Sequence, residues 1–280
     1  MSGAALELRE VRGPSALGGG RRRALELLYL IAVTEFRRNY VGTALGYLWS
    51  LVRPLMLFGV LLVVFTQAFD LGDRVVNYPV LLLFNIVLFT FFQEATTQAV
   101  TSIVNQESVV RKTQFPRLVI PLAVVLTSLF NLGVNLVVVL CFLLFSGVSP
   151  MWTWLLFPVV LALLVVFTTA VAMILAALHP RFRDTGVIWG VAAMALFYAT
   201  PVLYPIEVVG DALGDLLALN PLSPLFGLAR KWVVDPGAPG PLVVADGWPQ
   251  VVVPAVLFAA VCVLAVWIFN REAPRIAEEL

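Results

Sequence analysis

Five polar side chains recur along one long apolar stretch of the sequence, at Thr90, Glu94, Gln98, Thr101 and Asn105. Their spacings of four, four, three and four residues place all five on one face of a helix. Glu94 is the clearest acid within an apolar run, and ionisable side chains in such positions often mark transport pathways. The same face could instead hold helices together through side-chain hydrogen bonds. A pathway lining and an interhelical contact both follow from this pattern.

A second polar ladder lies in the next apolar run, at Thr127, Asn131 and Asn135. Its members are four residues apart, so they also share one helix face. Amides and hydroxyls without an ionisable group suit interhelical hydrogen bonds better than an ion pathway. We therefore predict that this ladder packs against a neighbouring helix.

Residue types that carry catalysis or bind metals are scarce. His179 is the single histidine, and Cys141 and Cys262 both lie within apolar runs, so no metal centre or disulfide framework is indicated. Residues 13–18 resemble the start of a phosphate-binding loop, but two glycines follow where that loop requires Lys and then Ser or Thr. We predict no catalytic residue, no metal and no cofactor on this chain. If the chain does active work, the energy comes from a partner subunit that hydrolyses ATP or from an ion gradient.

Long apolar runs must position these polar faces. The chain is 61% hydrophobic and 12% charged, with a mean hydropathy of +0.97, whereas soluble proteins are roughly 45–50% apolar and 25% charged. A helix needs about 20 apolar residues to cross a bilayer. The sequence therefore predicts an all-α integral membrane fold with six transmembrane helices, at 45–69, 80–104, 118–145, 151–178, 187–204 and 250–269.

The positive charges are sorted to one side of these runs. All of the 18 Lys and Arg residues except Arg74, Arg230 and Lys231 fall on the side that holds the amino terminus. Such an excess marks cytoplasmic segments, so both termini are expected in the cytoplasm. The charges form no single basic patch, and a nucleic-acid partner is not expected.

Four sequence stretches carry a family pattern. They are FRRNY at 36–40 with LGYLW at 45–49 and Pro54, the RKTQFPR core at 111–117, RDT at 183–185, and TPVLYP at 200–205 with NPLSP at 220–224. These stretches resemble the permease subunit of type-two ABC exporters. The resemblance is strongest to the branch that exports polysaccharides such as O-antigen, teichoic acid, capsule and cell-wall galactan.

The resemblance implies a homodimer of six-span subunits in a bacterial cytoplasmic membrane, in contact with lipid and docked to two copies of an ABC ATPase that binds ATP and Mg. The implied substrate is a glycan on a polyprenyl pyrophosphate lipid. Residues 24–270 would form the permease domain, between a disordered cytoplasmic tail at 1–23 and a tail at 271–280. Within the domain the resemblance implies an interfacial gate helix at 24–40, a cytoplasmic coupling helix at 105–117 and an outer gate region of short re-entrant helices at 205–245.

Each of these segments supplies candidate site residues. The candidates for ATPase coupling are Glu107, Arg111, Lys112, Phe115, Pro116 and Arg117. Because arginine suits bidentate phosphate contact, the candidates for holding the lipid head group are Arg37, Arg38 and Tyr40. The same arginines could instead anchor the helix to anionic lipid. The candidates for the pathway lining are Tyr47, Trp49, Thr90, Glu94 and Gln98, and those for the outer gate are Tyr204, Pro205 and Asn220.

Three other classes of protein fit the sequence less well. A drug or small-lipid exporter of the same superfamily would usually approach its first span differently from the LGYLW stretch. An ion-coupled carrier should show several intramembrane acids and broken inverted repeats, but Glu94 stands alone. A membrane enzyme such as a glycosyltransferase should show a pair of metal-binding acids. O-antigen-like glycans and cell-wall galactan both remain candidate substrates, because stacking and hydrogen bonding to sugars leave little sequence signature.

Overall fold

The computed structural model describes residues 20–40, 46–107, 117–240 and 248–272, with the backbone alone at 20–24, 37–40, 46–48 and 211. All regular elements in these ranges are helical. In chain order the α-helices are α1 (Gly20–Tyr40), α2 (Gly46–Gln67), α3 (Leu71–Arg74), α4 (Tyr78–Asn105), α5 (Val119–Phe145), α6 (Phe157–Leu178), α7 (Thr185–Ala199), α8 (Asp211–Ala218), α9 (Ser223–Ala229) and α10 (Pro249–Glu272).

The predicted all-α membrane fold is confirmed. Five helical segments are long and apolar enough to cross a bilayer: Trp49–Gln67, Tyr78–Asn105, Val119–Phe145, Trp152–Leu178 and Pro249–Glu272. The fourth combines a 3-10 turn, Trp152–Leu156, with α6. The shortest has 19 residues, which is about 28 Å at a rise of 1.5 Å per residue. That length nearly matches a hydrocarbon core of about 30 Å.

The fifth expected span differs from its predicted bounds. It was expected over 187–204, but α7 ends at Ala199 and has 15 residues, about 22 Å of helix. Thr200 adopts an extended conformation (φ −105°, ψ 144°) because it precedes Pro201, whose ring disfavours helical geometry at the residue before it. The chain then continues as a non-helical segment, Thr200–Pro205, which we call the 200–205 strap.

Short helices follow this strap, as expected for the region before the last span. Two of them, Ala212–Ala218 and Ser223–Val234, meet at an angle of 93°. Such a bent pair has the geometry of a broken span or a re-entrant loop. At the other end of the chain, α1 begins at Gly20, four residues before the boundary expected at 24.

Helix α4 is the centre of the bundle. In its apolar window 78% of the residues are buried, against 6% for α2 and 11% for α10. It packs against α5 on one side and α6 on another, α6 packs against α10, and α1 packs against α5. A polar side chain on α4 therefore has neighbouring helices within reach.

Aromatic side chains fill the core around α4. Phe92 stacks on Phe167 of α6 with ring centroids 6.0 Å apart, and Phe167 lies 5.2 Å from Phe258 of α10. Phe92 also meets Trp189 of α7 edge-on at 6.1 Å. Each such pair contributes roughly 0.5–1.5 kcal/mol beyond its area burial. Because apolar surface alone does not drive helices together within lipid, these contacts matter for holding α6, α7 and α10 to the centre.

The two ends of α4 define the two ends of the bundle. The turns from Gln98 to Asn105 lie beside α1, and we call this the α1 end. The turns from Tyr78 to Asn85 lie beside the 200–205 strap and α9, and we call this the α9 end. The charge pattern predicts that the α1 end faces the cytoplasm.

Cysteine labelling in intact cells tests this orientation. In a chain whose Cys141 and Cys262 are replaced by alanine, we expect Asp215→Cys to react with a membrane-impermeant maleimide, because Asp215 is exposed at the α9 end. We expect Glu278→Cys to react only after permeabilisation. Labelling of the second site alone in intact cells would reverse the predicted orientation.

Candidate functional site

The polar face of α4 meets α5 through Glu94. Its Oε1 accepts hydrogen bonds from Asn131 Nδ2 on α5 at 2.9 Å and from Gln98 Nε2 at 3.0 Å. Asn131 is buried, and a small polar crevice lined in part by Pro54 and Thr90 adjoins the pair. Glu94 therefore joins α4 to α5, which is the interhelical contact that the spacing allowed. A lining role for Thr90, Glu94 and Gln98 stays a prediction.

The second ladder packs against neighbouring helices, as predicted. Thr127 Oγ1 lies 3.2 Å from the carbonyl oxygen of Ala32 on α1 and 2.9 Å from that of Ala123 in its own helix. Asn131 binds Glu94 on α4, and Asn135 Nδ2 donates to the carbonyl oxygen of Asn131 at 2.9 Å. This ladder thus places α5 between α1 and α4.

Substitution of Glu94 separates the two interpretations. We expect Glu94→Gln to retain export and stability, because the glutamine carbonyl still accepts a hydrogen bond from Asn131. We expect Glu94→Leu to lower the free energy of unfolding by about 1–3 kcal/mol, because the buried amide of Asn131 loses Glu94 Oε1 as its acceptor. Thermal unfolding of the detergent-solubilised protein measures the difference. If Glu94→Gln unfolds normally but exports nothing, the charge itself serves the pathway and the purely interhelical interpretation is wrong.

A cleft at the α1 end contains the rest of the polar face of α4. It lies between α1, α4 and α5 and has a volume of about 760 Å³, counted with its open mouth. The α4 side presents hydroxyls and amides, and Asn105 Nδ2 donates to Thr101 Oγ1 at 3.1 Å. The described residues that line the cleft are Ile31, Glu35, Gln98, Thr101, Ser102, Asn105, Gln106, Ile120, Ala123, Val124 and Thr127.

Helix α1 forms one wall of this cleft. Ala32 is fully buried against α5, and the ring of Phe36 meets Phe130 edge-on at 5.6 Å. Leu25, Tyr29 and Leu30, which lie nearer the start of the helix, are each more than 60% exposed. A helix with one face on the bundle and exposed apolar side chains elsewhere suits the membrane interface. Movement of α1 relative to α5 would widen or close the cleft.

The cleft suits a neutral, hydroxyl-rich ligand. Among its described lining residues Glu35 alone is charged, and the others are apolar or carry amides and hydroxyls. Amides offer both donors and acceptors, and hydroxyls do the same, so they can exchange hydrogen bonds with sugar hydroxyls. Arg37 and Arg38 follow Glu35 in the last turn of α1, where the backbone alone is described.

The predicted site residues at 40–49 and 107–117 fall into three groups. Tyr40 and Tyr47 lie at the ends of α1 and α2 with the backbone alone described, whereas the Trp49 side chain is 58% exposed on α2. Glu107 and Arg117 are half-buried on either side of residues 108–116. The other coupling candidates lie outside the described residues: Arg111, Lys112, Phe115 and Pro116.

At the α9 end, the predicted outer gate residues hold the 200–205 strap. Asn220 Nδ2 donates to the carbonyl oxygen of Ala199 at 3.0 Å and to Thr200 Oγ1 at 2.9 Å. Tyr204 OH donates to the carbonyl oxygen of Tyr198 at 2.8 Å. Pro205 is buried, and because proline has no backbone N–H it leaves no donor there without a partner. The structure thus places Tyr204 and Pro205 in the strap and Asn220 against its first residue, and their role as a gate stays a prediction.

Two side chains on α4 bind the same strap. Tyr78 OH donates to the carbonyl oxygen of Leu203 at 2.8 Å, and Asn85 Nδ2 lies 3.1 Å from that of Pro201. A strap without helical hydrogen bonds needs other partners for its buried carbonyl groups, and these two side chains supply them. Sequence reasoning missed them. The available signal was a lone asparagine within an apolar run, which indicates a buried polar partner.

Arg230 was also missed, because its sequence position marked it only as an outside charge. Arg230 Nη1 lies 2.9 Å from Glu207 Oε2, and Nη2 lies 3.6 Å from Asp235 Oδ2. The side chains of Arg230 and Asp235 are each 13% exposed. This triad connects the short helices after the strap with the segment that leads to α10.

A bundle of long apolar helices, with polar side chains along a cleft beside its central helix, suits the membrane domain of a transporter. The sequence profile of one family, described as ABC-2 type transporter, matches residues 26–233, and the chain belongs to that family. The resemblance to the permease subunit of type-two ABC exporters is confirmed.

The chain is similar to curated permeases of that kind. It is 32% identical to an "O-antigen export system permease protein RfbA" of Myxococcus xanthus over 202 residues, which is 71% of this chain and 77% of that protein. It is 28% identical over 202 residues to a protein of the same name from Klebsiella pneumoniae, covering 72% of this chain and 77% of the relative.

Proposed function

We propose that this chain is the membrane permease of an ATP-driven exporter of lipid-linked polysaccharide, an O-antigen-like glycan or a cell-wall galactan. Membership of the ABC-2 type transporter family and relatives named as O-antigen export permeases support the proposal. The structural observation that carries it is the cleft between α1, α4 and α5. Its neutral amides and hydroxyls match sugar hydroxyls in donors and acceptors.

The glycan loads through this cleft from the cytoplasmic leaflet. The first sugars lie against Gln98, Thr101 and Asn105, and the pyrophosphate lies at the rim near the last turn of α1. Arg37 and Arg38 supply the cations there, since a guanidinium contacts two phosphate oxygens at once. The polyprenyl chain stays in the membrane beside the exposed apolar side chains of α1.

The working assembly is a homodimer with two ATPase subunits, in a bacterial cytoplasmic membrane with both termini inside. The length of helix α7 supports the proposal of a homodimer. At about 22 Å this helix is short for a bilayer of about 30 Å, and association with another subunit is one way in which a short span is accommodated. Its side chains Val187, Ile188, Val191 and Met194 are all more than 60% exposed. ATP and Mg bind to the ATPase, not to this chain.

Coupling runs through the segment between α4 and α5. The described residues after α4 end at Glu107 and resume at Arg117, just before α5. A force that the ATPase applies to residues 107–117 therefore acts on two helices, α4 and α5, which share the Glu94–Asn131 hydrogen bond and both line the cleft.

Export of drugs or small lipids is the second candidate function, and the polar lining of the cleft disfavours it.

Depletion of the chain tests this function in cells. We expect polyprenyl-linked glycan to accumulate in the cytoplasmic leaflet and surface glycan to fall, with unchanged sensitivity to lipophilic drugs. Expression of the wild-type chain with its ATPase should restore surface glycan. Normal surface glycan together with raised drug sensitivity would instead identify a drug exporter.

Conservative substitution of the two arginines tests the head-group site. We expect Arg37→Lys with Arg38→Lys to reduce export, because lysine keeps the charge but loses bidentate phosphate contact. Membrane insertion and recovery of the ATPase with the permease should be unchanged. Normal export by the double variant would leave lipid anchoring as the role of these arginines.

A further inference from the structure

Three residues that line one pocket at the α9 end each have a buried polar atom without a hydrogen-bond partner. The atoms are Asn85 Oδ1, Arg230 Nε and Gln250 Oε1, and none bonds to any residue in the described ranges. The pocket lies between the start of α4, the 200–205 strap, α9 and the first turn of α10, with a volume of about 560 Å³ counted with its mouth. Because buried polar groups nearly always have partners, three at one place indicate a ligand.

The surrounding contacts hold these atoms in position. Asn85 is 3% exposed, and its Nδ2 faces the carbonyl oxygens of Pro201 and Val202 at 3.1 and 3.3 Å. Since those carbonyls require a donor, the Oδ1 atom must occupy the other branch of the amide. Arg230 begins a five-residue π-helical turn, Arg230–Val234, a rare element that is frequent at functional sites.

The charges at the pocket disfavour an anionic ligand. Glu207 and Asp235 occupy both terminal nitrogens of Arg230, at 2.9 and 3.6 Å. Two carboxylates against one guanidinium leave the triad with a formal charge of −1. A phosphate or an acidic sugar would be repelled there. The ligand must instead be neutral, donate to two amide oxygens and accept from one N–H.

Sugar hydroxyls meet these requirements. A hydroxyl donates one hydrogen bond and accepts two, so neighbouring hydroxyls on one ring can serve Asn85, Gln250 and Arg230 together. Apolar surface completes the lining, with Pro201, Pro205 and the buried ring of Phe226 available to the C–H groups of the sugar. A mostly apolar pocket with a few convergent polar groups is the usual form of a small-ligand site.

We propose that this pocket binds the hydroxyl edge of one neutral sugar ring. This rests on the proposed function, because a permease for polysaccharide presents such rings at the end of the bundle opposite the loading cleft. Here the pocket holds one unit of the emerging glycan next to the strap and the bent helix pair. The site is separate from the cleft beside α1, since it lies at the other end of α4.

Binding of simple glycosides to the full chain in lipid nanodiscs tests the proposal. The probes are the methyl glycosides of galactose, rhamnose, mannose and N-acetylglucosamine, with methyl glucuronide as the acidic probe, and the measurement is saturation-transfer NMR titration. We expect at least one neutral glycoside to bind saturably and the glucuronide to bind more weakly. We expect Gln250→Leu to weaken binding roughly five- to tenfold, the loss of one hydrogen bond.

The controls keep the result interpretable. Gln67→Leu makes the same change on exposed α2 outside the pocket and should bind as the wild type does. If Gln250→Leu does not fold, Gln250→Ala at the same half-buried position replaces it. Absence of saturable binding of every neutral probe, equal binding by the Gln250 variants, or preference for the glucuronide would each overturn the proposal. ATP-driven glycan export without binding would reject the pocket alone, whereas binding without glycan export would reject the proposed function.

Discussion

Thr101→Trp abolishes glycan export while the protein still inserts and still recruits its ATPase. Thr101 is exposed on α4 and lines the cleft opposite α1, so an indole there fills the space that the first sugars occupy. We expect surface glycan to fall by more than about tenfold, because the indole blocks the cleft and even a misplacement of about 1 Å can cost about a hundredfold in rate. Quantitative immunoblotting of surface glycan in a depleted strain measures the effect.

A matched tryptophan elsewhere separates blockage from general damage. Val137→Trp adds the same ring to α5 at a position that is 61% exposed and outside the cleft lining. We expect this variant to export normally. Equal export by Thr101→Trp and wild type, at equal protein levels, would show that the glycan does not load between α1, α4 and α5.

Charge reversal in the coupling segment has a similarly large expected effect. Arg111→Glu with Lys112→Glu places two negative charges at the surface predicted to dock on the ATPase. Unpaired or like charges in a docked surface cost several kcal/mol, so we expect export to fall more than about tenfold. ATP hydrolysis by the complex should lose its dependence on lipid-linked glycan.

The exchange Arg111→Lys with Lys112→Arg is the matched control, because it keeps both charges. This variant should export and should recover the ATPase as the wild type does. If the charge-reversed variant exports normally with unchanged ATPase stimulation, the docking surface lies elsewhere on the permease.

The features that follow from short-range spacing could be predicted from the sequence. The lengths of the apolar runs predict the long helices, and the four- and three-residue spacings predict the shared face of Thr90, Glu94 and Gln98. The end of the fifth run was placed wrongly at 204. Pro201 fixes Thr200 in an extended conformation, and the helix stops at Ala199 although the residues beyond it are still apolar.

Pairings between distant residues could not be predicted from local patterns. The sequence shows Glu94 and Asn131 as separate polar positions 37 residues apart, and only the packing of α4 on α5 brings them to 2.9 Å. Asn85 and Arg230 belong to no periodic pattern. Their significance depends on the 200–205 strap, whose course is fixed by the tertiary contacts of Tyr78 and Asn220 rather than by local propensity.

Reconstitution tests the proposed function most directly. The purified chain and its partner ATPase are placed in liposomes with a radiolabelled polyprenyl-pyrophosphate glycan, and transfer of the glycan across the bilayer is measured with and without ATP. An ABC permease for lipid-linked polysaccharide predicts transfer that requires ATP and both subunits and that Thr101→Trp abolishes. Transfer driven by an ion gradient without ATP, or ATP-driven movement of a lipophilic dye with no movement of glycan, would contradict it.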